Sequence, residues 1–238
     1  MKRCWIALPV VVAAVGAQGA GVPGQGTWQT TLQPRDMNGD GAVDAFYDTT
    51  LDVTWLRNAS MAGRLEWNAA RQWADGLTIG GYDDWRLPAV LDTGTPGCNY
   101  GVNGSDCGYN VQTRDASGVV YSEFAHLYFV TLGNKSLYDT SAHMQPGYGL
   151  TNTGGFEGLQ SFDYWTQTEL ATNAAQAWYF YTVDGAQLVT GKSAAMYTIA
   201  LRQGDVASIP EPATNALLLA GIAALVATGC RRRRGTDY

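Results

Sequence analysis

Asp36-Met37-Asn38-Gly39-Asp40-Gly41-Ala42-Val43-Asp44 holds the densest run of metal-ligand side chains in the sequence. Asp36, Asn38, Asp40 and Asp44 place oxygens at loop positions one, three, five and nine with glycine at six, which is how an EF-hand calcium loop begins. Tyr47 stands where that loop would carry its bidentate glutamate, and no helical pattern flanks it. Two readings stay open: a calcium loop, or a plain Asx/Gly turn without metal. Cys98 and Cys107 lie close together in a Gly/Asn/Asp-rich stretch. In an oxidising compartment such a pair is most simply a disulfide, with free thiols or metal ligands as the alternatives. Material for catalysis is scarce. His126 and His143 are the only histidines, and no motif sets a nucleophile beside a base. Asp83 and Asp84 could serve acid–base chemistry, but paired acids on a solvated turn are common. The expected protein is not an enzyme.

The elements that must position these groups follow from periodicity. Thr27-Trp28-Gln29 reads as a lead-in or first edge strand. Ala45-Phe46-Tyr47 and Leu51 to Leu56 read as two short strands across an Asp-Thr-Thr turn. Trp67, Ala70, Ala74 and Leu77 recur at helical spacing and predict an amphipathic helix from about Leu65 to Gly76. Gly80-Gly81 then hands over to Tyr82-Asp83-Asp84-Trp85-Arg86-Leu87-Pro88. With Trp85 and Leu87 inward, period-two geometry leaves Asp84 and Arg86 on the other face, where an arginine can bind a carboxylate bidentately. Residues 92–117 form a long loop poor in large aliphatics. A second helix starts with Ser122 as N-cap and runs to Leu132, with Gly133 as its stop and His126 as a partly buried polar residue. Residues 147–161 are another Gly/Asn/Thr loop. Strands follow at 164–166, 177–183, 187–189 and 196–201, with Asp184-Gly185 as a hairpin turn. The pattern is α+β, an antiparallel sheet with two helices on one side and long loops.

Both ends read as processing signals. Met1-Lys2-Arg3, the apolar stretch from Ile6 and the small residues through Ala20 make residues 1–20 a secretory signal peptide. Pro210-Glu211-Pro212 precedes an apolar run from Ala213 to Cys230, at the lower length limit of a membrane helix. Arg231, Arg232, Arg233 and Arg234 behind it would stay cytoplasmic. Without these ends, residues 21–208 carry nine basic and nineteen acidic residues. A body this acidic repels nucleic acid and anionic lipid. Membrane contact is expected only through the C-terminal stretch, before processing. The exported part is long enough for a single core.

Two resemblances arise from these residues. Pro210-Glu211-Pro212, the apolar run and the arginine cluster of residues 209–234 resemble a PEP-CTERM sorting signal. That likeness implies a Gram-negative exporter, passage through the secretion machinery, and an exosortase that removes the tail. The protein would then reach the cell surface or the extracellular matrix, in a setting of biofilm and exopolysaccharide. Residues 51–208, behind a lead-in of residues 21–50, resemble the Lcl C-terminal domain family. The helix with Trp67 and Ala70 carries that likeness, with the Trp85-Arg86-Leu87-Pro88 motif, the strand Tyr164-Trp165-Thr166 and Ala200-Leu201-Arg202. The resemblance implies a C-type-lectin-like fold. No Glu-Pro-Asn, Gln-Pro-Asp or Trp-Asn-Asp motif occurs at a matching place, so calcium-dependent sugar binding does not carry over. In a fold of this type Tyr100, Tyr109, Tyr148 and Trp165 would be the ligand-stacking groups, each with a purely structural role as the alternative. The expected function is a surface or matrix protein binding exopolysaccharide or a protein partner. A structural matrix protein with no defined ligand is the alternative, and a polysaccharide-acting enzyme a more distant one.

Overall fold

Large apolar side chains at alternating positions, interrupted by glycine turns, produce two β-sheets around three buried clusters. The computed structural model describes residues 21–93, 98 and 100–206. The expected signal peptide of residues 1–20 and the sorting residues Pro210, Glu211, Pro212 and Arg231 to Arg234 lie outside the described residues.

The first sheet has four antiparallel strands in the order β1 (Leu32–Arg35), β2 (Ala45–Asp48), β3 (Val53–Leu56) and β10 (Leu201–Gln203). Residues 21–50 thus supply two of its strands. Trp28 begins a single helical turn, α1 (Trp28–Thr31), where the sequence suggested a lead-in or a first edge strand; pairing starts only at Leu32. Thr30 and Thr31 donate their hydroxyls to the Thr27 carbonyl, which favours a turn over an extended chain.

The second sheet has six strands, not the single antiparallel set expected. Its order is β4 (Arg64–Leu65), β9 (Met196–Tyr197), β6 (Asp163–Leu170), β7 (Asn173–Tyr181), β8 (Ala186–Gly191) and β5 (Gly108–Tyr109). β6 and β9 meet in parallel at Tyr164 and Tyr197, and the other pairs are antiparallel. The β7–β8 hairpin turns at Asp184-Gly185, with Gly185 at φ 73.

The helices take opposite faces of this sheet, where the sequence suggested one side. Helix α2 (Trp67–Asp75) buries Trp67, Ala70 and Ala74 beside Trp165 and Ala177. Its end is capped by Gly76, four residues before the glycine pair. Helix α3 (Glu123–His126) continues as a π-helical turn over Leu127–Thr131. Ser122 caps it by accepting the Ala125 N–H at 3.2 Å. Phe124 then packs at the centre of a ring cluster, 5.1 Å from Tyr164, 5.3 Å from Phe180 and 6.3 Å from Trp55. Alternation decides this split: Tyr164 and Phe180 face α3, while Trp165 and Tyr179 face the other way.

The Trp85-Arg86-Leu87-Pro88 motif ties the two sheets together. Arg86 exchanges both backbone bonds with Leu201 at the β10 edge, at 2.8 and 2.9 Å. Two residues on, the Pro88 carbonyl accepts the Gln167 N–H of β6 at 2.8 Å. Trp85 and Leu87 are buried. Arg86 binds Glu123 of α3 bidentately, with both contacts at 2.7 Å, and Glu123 also accepts the Ala89 N–H at 2.6 Å. One arginine therefore locks a loop to a helix.

Candidate functional site

The α2 helix covers only part of its sheet face. Asp163 lies opposite Tyr181, Tyr181 opposite Ala186, and Ala186 opposite Tyr109, so the four form one cross-strand row. The adjoining row on the same face is Trp165, Tyr179 and Leu188. Trp165 is wholly buried under α2, with its indole N–H donating to the Leu65 carbonyl at 3.0 Å. It has no ring face left for a ligand, which corrects its place among the stacking residues. The tryptophan serves as the floor on which Tyr179 rests edge-on at 6.3 Å.

Tyr109, Tyr179 and Tyr181 remain partly open. The Tyr109 hydroxyl donates to Asp184 at 3.1 Å, and Tyr138 meets its ring edge-on at 5.3 Å. Burial, with the Asp184 charge adding to it, pushes the Tyr109 hydroxyl up to about 12. Burial and the Asp163 charge do the same at Tyr179, also to about 12. Both stay protonated donors at neutral pH. Tyr100 lies close enough to Tyr179 to interact electrostatically and is 64% exposed at φ 50 on the loop of residues 100–107. Tyr148 is exposed on a different loop, bridged through Gly149 to Lys135, and among the described residues it makes no ring contact with the row. The sequence pointed to Tyr100 and Tyr109; it did not single out Tyr179 and Tyr181. Their alternation with Trp178 and Phe180 was the signal that could have found them.

Cys98 and Cys107 are joined in a disulfide with Cα atoms 5.1 Å apart, beside Leu188 and Trp178. Asp106 fastens this loop by accepting both the Thr93 N–H and its hydroxyl, at 3.1 and 2.7 Å. Gln187 of β8 donates to the Asp106 carbonyl at 2.6 Å. Tyr100 therefore stands on a loop stapled to the sheet edge.

The 36–44 loop turns its oxygens inward. Asp36 accepts the amides of Asn38, Gly39 and Gly41 at 3.2, 2.7 and 2.8 Å. Asn38 accepts from Asp40, Asp40 from Ala42, and Asp44 from Met37. Slight burial raises the Asp36 carboxyl, but the backbone donors outweigh it and hold the group below its ordinary value. Glycines 39 and 41 have the positive φ such a loop requires. Calcium fits in part only: the spacing and glycines suit it, but Asp44 is turned to the backbone. Among the described residues no three His, Cys, Asp or Glu side chains converge on a metal position.

A shallow cavity of about 440 Å³ opens elsewhere, between Gly24, Gln25, Gly133, Lys135, Gly147 and Thr151. His126 is buried at the end of α3, and among the described residues neither ring nitrogen has a hydrogen-bond partner. No helix among the described residues is long and apolar enough to cross a membrane.

Residues 208–234 match the PEP-CTERM protein-sorting motif. The chain is accordingly an exported protein, addressed to an exosortase and held transiently at a membrane by its tail. No curated protein and no solved structure matches the chain.

Proposed function

We propose that the exported body is a non-catalytic module that binds polysaccharide on the open tyrosine face of its six-stranded sheet, at the cell surface or in the extracellular matrix. One observation carries this reading. Tyr109, Tyr179 and Tyr181 share a face with Asp163, on rigid strands, with Tyr100 on a stapled loop beside them. Aromatic rings supply apolar area for the carbon face of a sugar, while phenols and carboxylates bond its hydroxyls. The likeness of residues 51–208 to the Lcl C-terminal type, and through it to a C-type-lectin-like fold, agrees with a binding role.

Calcium at Asp36, Asn38, Asp40 and Asp44 is a separate proposal, supported by the spacing and the glycine conformations. It is not needed for the tyrosine face.

The test uses the full-length protein in mild detergent and the exopolysaccharide of the producing cell. The expected result is saturable binding, weakened about tenfold by Tyr181→Ala, with no change in polysaccharide chain length on incubation. Shortening of the polymer would replace a binding module with an enzyme. Self-association without polysaccharide binding would identify a structural matrix protein.

A further inference from the structure

Stacking alone leaves the charges of this face unused. The Asp163 carboxylate makes no ion pair and no hydrogen bond among the described residues. Arg64 is the nearby cation, but both guanidinium contacts go to the Ala195 carbonyl, at 2.9 and 2.7 Å, and the group lies 4.5 Å over the Phe162 ring. Asp184 accepts the Tyr109 hydroxyl and the Ala186 N–H, and it too has no cationic partner among the described residues. The two aspartates feel each other. Burial raises the Asp163 carboxyl, Arg64 opposes this, and Asp184 adds to it; burial likewise raises Asp184.

Tyr181 lies opposite Asp163 and feels the charge of both carboxylates, and Tyr109 donates its hydroxyl to Asp184; the faces of such rings carry the negative side of the aromatic quadrupole. Half-buried carboxylates beside aromatic faces attract a cation and repel carboxylate, sulfate or phosphate. Uronic or sulfated sugars are therefore poorly matched, and a neutral sugar leaves the charges unpaired. A hexosamine with a free amine answers both features, with a ring to stack and an ammonium to pair.

We propose that the tyrosine face selects amine-bearing sugars, the de-N-acetylated hexosamine units of a polysaccharide, with the ammonium directed to Asp163 and Asp184 and the sugar ring on Tyr181. This inference rests on the polysaccharide-binding reading above. It goes beyond it by fixing the class of sugar.

The experiment is calorimetric titration of the full-length protein in detergent with four probes: a glucosamine oligomer, its fully N-acetylated counterpart, a uronate oligomer and a lysine oligomer. The glucosamine oligomer is expected to bind about tenfold or more tightly than the N-acetylated one, and the uronate not at all. Asp163→Asn should reduce that preference to about twofold or less. Because the Asp163 carboxylate holds no structural bond among the described residues, the variant should melt with the wild type, which separates lost recognition from lost folding. Equal binding of the two hexosamine oligomers overturns the amine inference and leaves the polysaccharide reading standing. Binding of the lysine oligomer as tightly as glucosamine overturns the sugar part of the inference. Failure of every saccharide to bind removes both readings.

Discussion

Glu123 receives three bonds at the first turn of α3, and truncating it to alanine removes all of them. Two are charge-assisted contacts from Arg86 at 2.7 Å, and the third is the Ala89 N–H at 2.6 Å. The Glu123 side chain is 9% exposed and Arg86 25%. A hydrogen bond to a charged group contributes about 1.5–3 kcal/mol. Simple addition overstates the loss, because a quarter-exposed guanidinium regains water once its partner is gone. About 3 kcal/mol is the figure expected, the lower end for breaking a buried pair. For a body of this size that lowers Tm by about 6–12 °C. Asp84→Ala is the matched control. It too breaks a bidentate arginine pair, Arg202–Asp84 at 2.6 and 2.9 Å, but Asp84 is 51% exposed. Its expected cost is about 1 kcal/mol or less, shrinking further in about 0.5 M salt, whereas the Glu123 effect should be insensitive to salt. Thermal melting by circular dichroism at neutral pH measures both. A Glu123→Ala shift under about 2 °C, or one equal to that of Asp84→Ala, would show that burial does not set the value of these pairs.

Three further outcomes are expected. Burial lowers the His126 pKa, with Arg114 adding to this and Asp48 opposing it, so the unfolded chain binds the proton more readily. Stability should hold above the unfolded histidine value of about 6.5 and fall as pH drops from there toward the folded value, and His126→Leu should flatten that fall, as urea unfolding across pH will show. Gly133 sits at φ 67 with its backbone against Gly26, so a Cβ there would clash with main chain; Gly133→Ala should cost about 1–3 kcal/mol in a urea melt, while alanine at Gly147, also at positive φ but facing open space, should cost less. Calcium titration should give heat with the wild type and none with Asp40→Ala; silence in both proteins removes calcium at the 36–44 loop.

Local chemistry accounts for what could be read without coordinates. The Ser122 cap, the α2 stripe of Trp67, Ala70 and Ala74, and the Asp184-Gly185 hairpin each depend on residues a few positions apart, where backbone sterics and short-range bonds decide the outcome. Arg86 was also legible as a residue facing a carboxylate, though not which one; Glu123 is 37 residues away. Alternation showed that Trp165 and Tyr164 point in opposite directions. It could not show that α2 would cover the first and α3 the second, because a period of two names faces and not their neighbours. For the same reason the period alone could not separate Trp165, which is wholly buried, from Tyr179 and Tyr181, which stay partly open.

The amino-acid order alone determined the α2 helix, the Asp184-Gly185 hairpin, the oxidisable cysteine pair, the acidic body and the sorting tail, since each is set by side-chain chemistry or by contacts along a short stretch. Only the folded chain decided that β3 would pair with β10, that two sheets would form instead of one, and that the row of Asp163, Tyr181 and Tyr109 would stay partly open. Those outcomes depend on which distant surfaces bury one another, and burial is a property of the whole packed molecule.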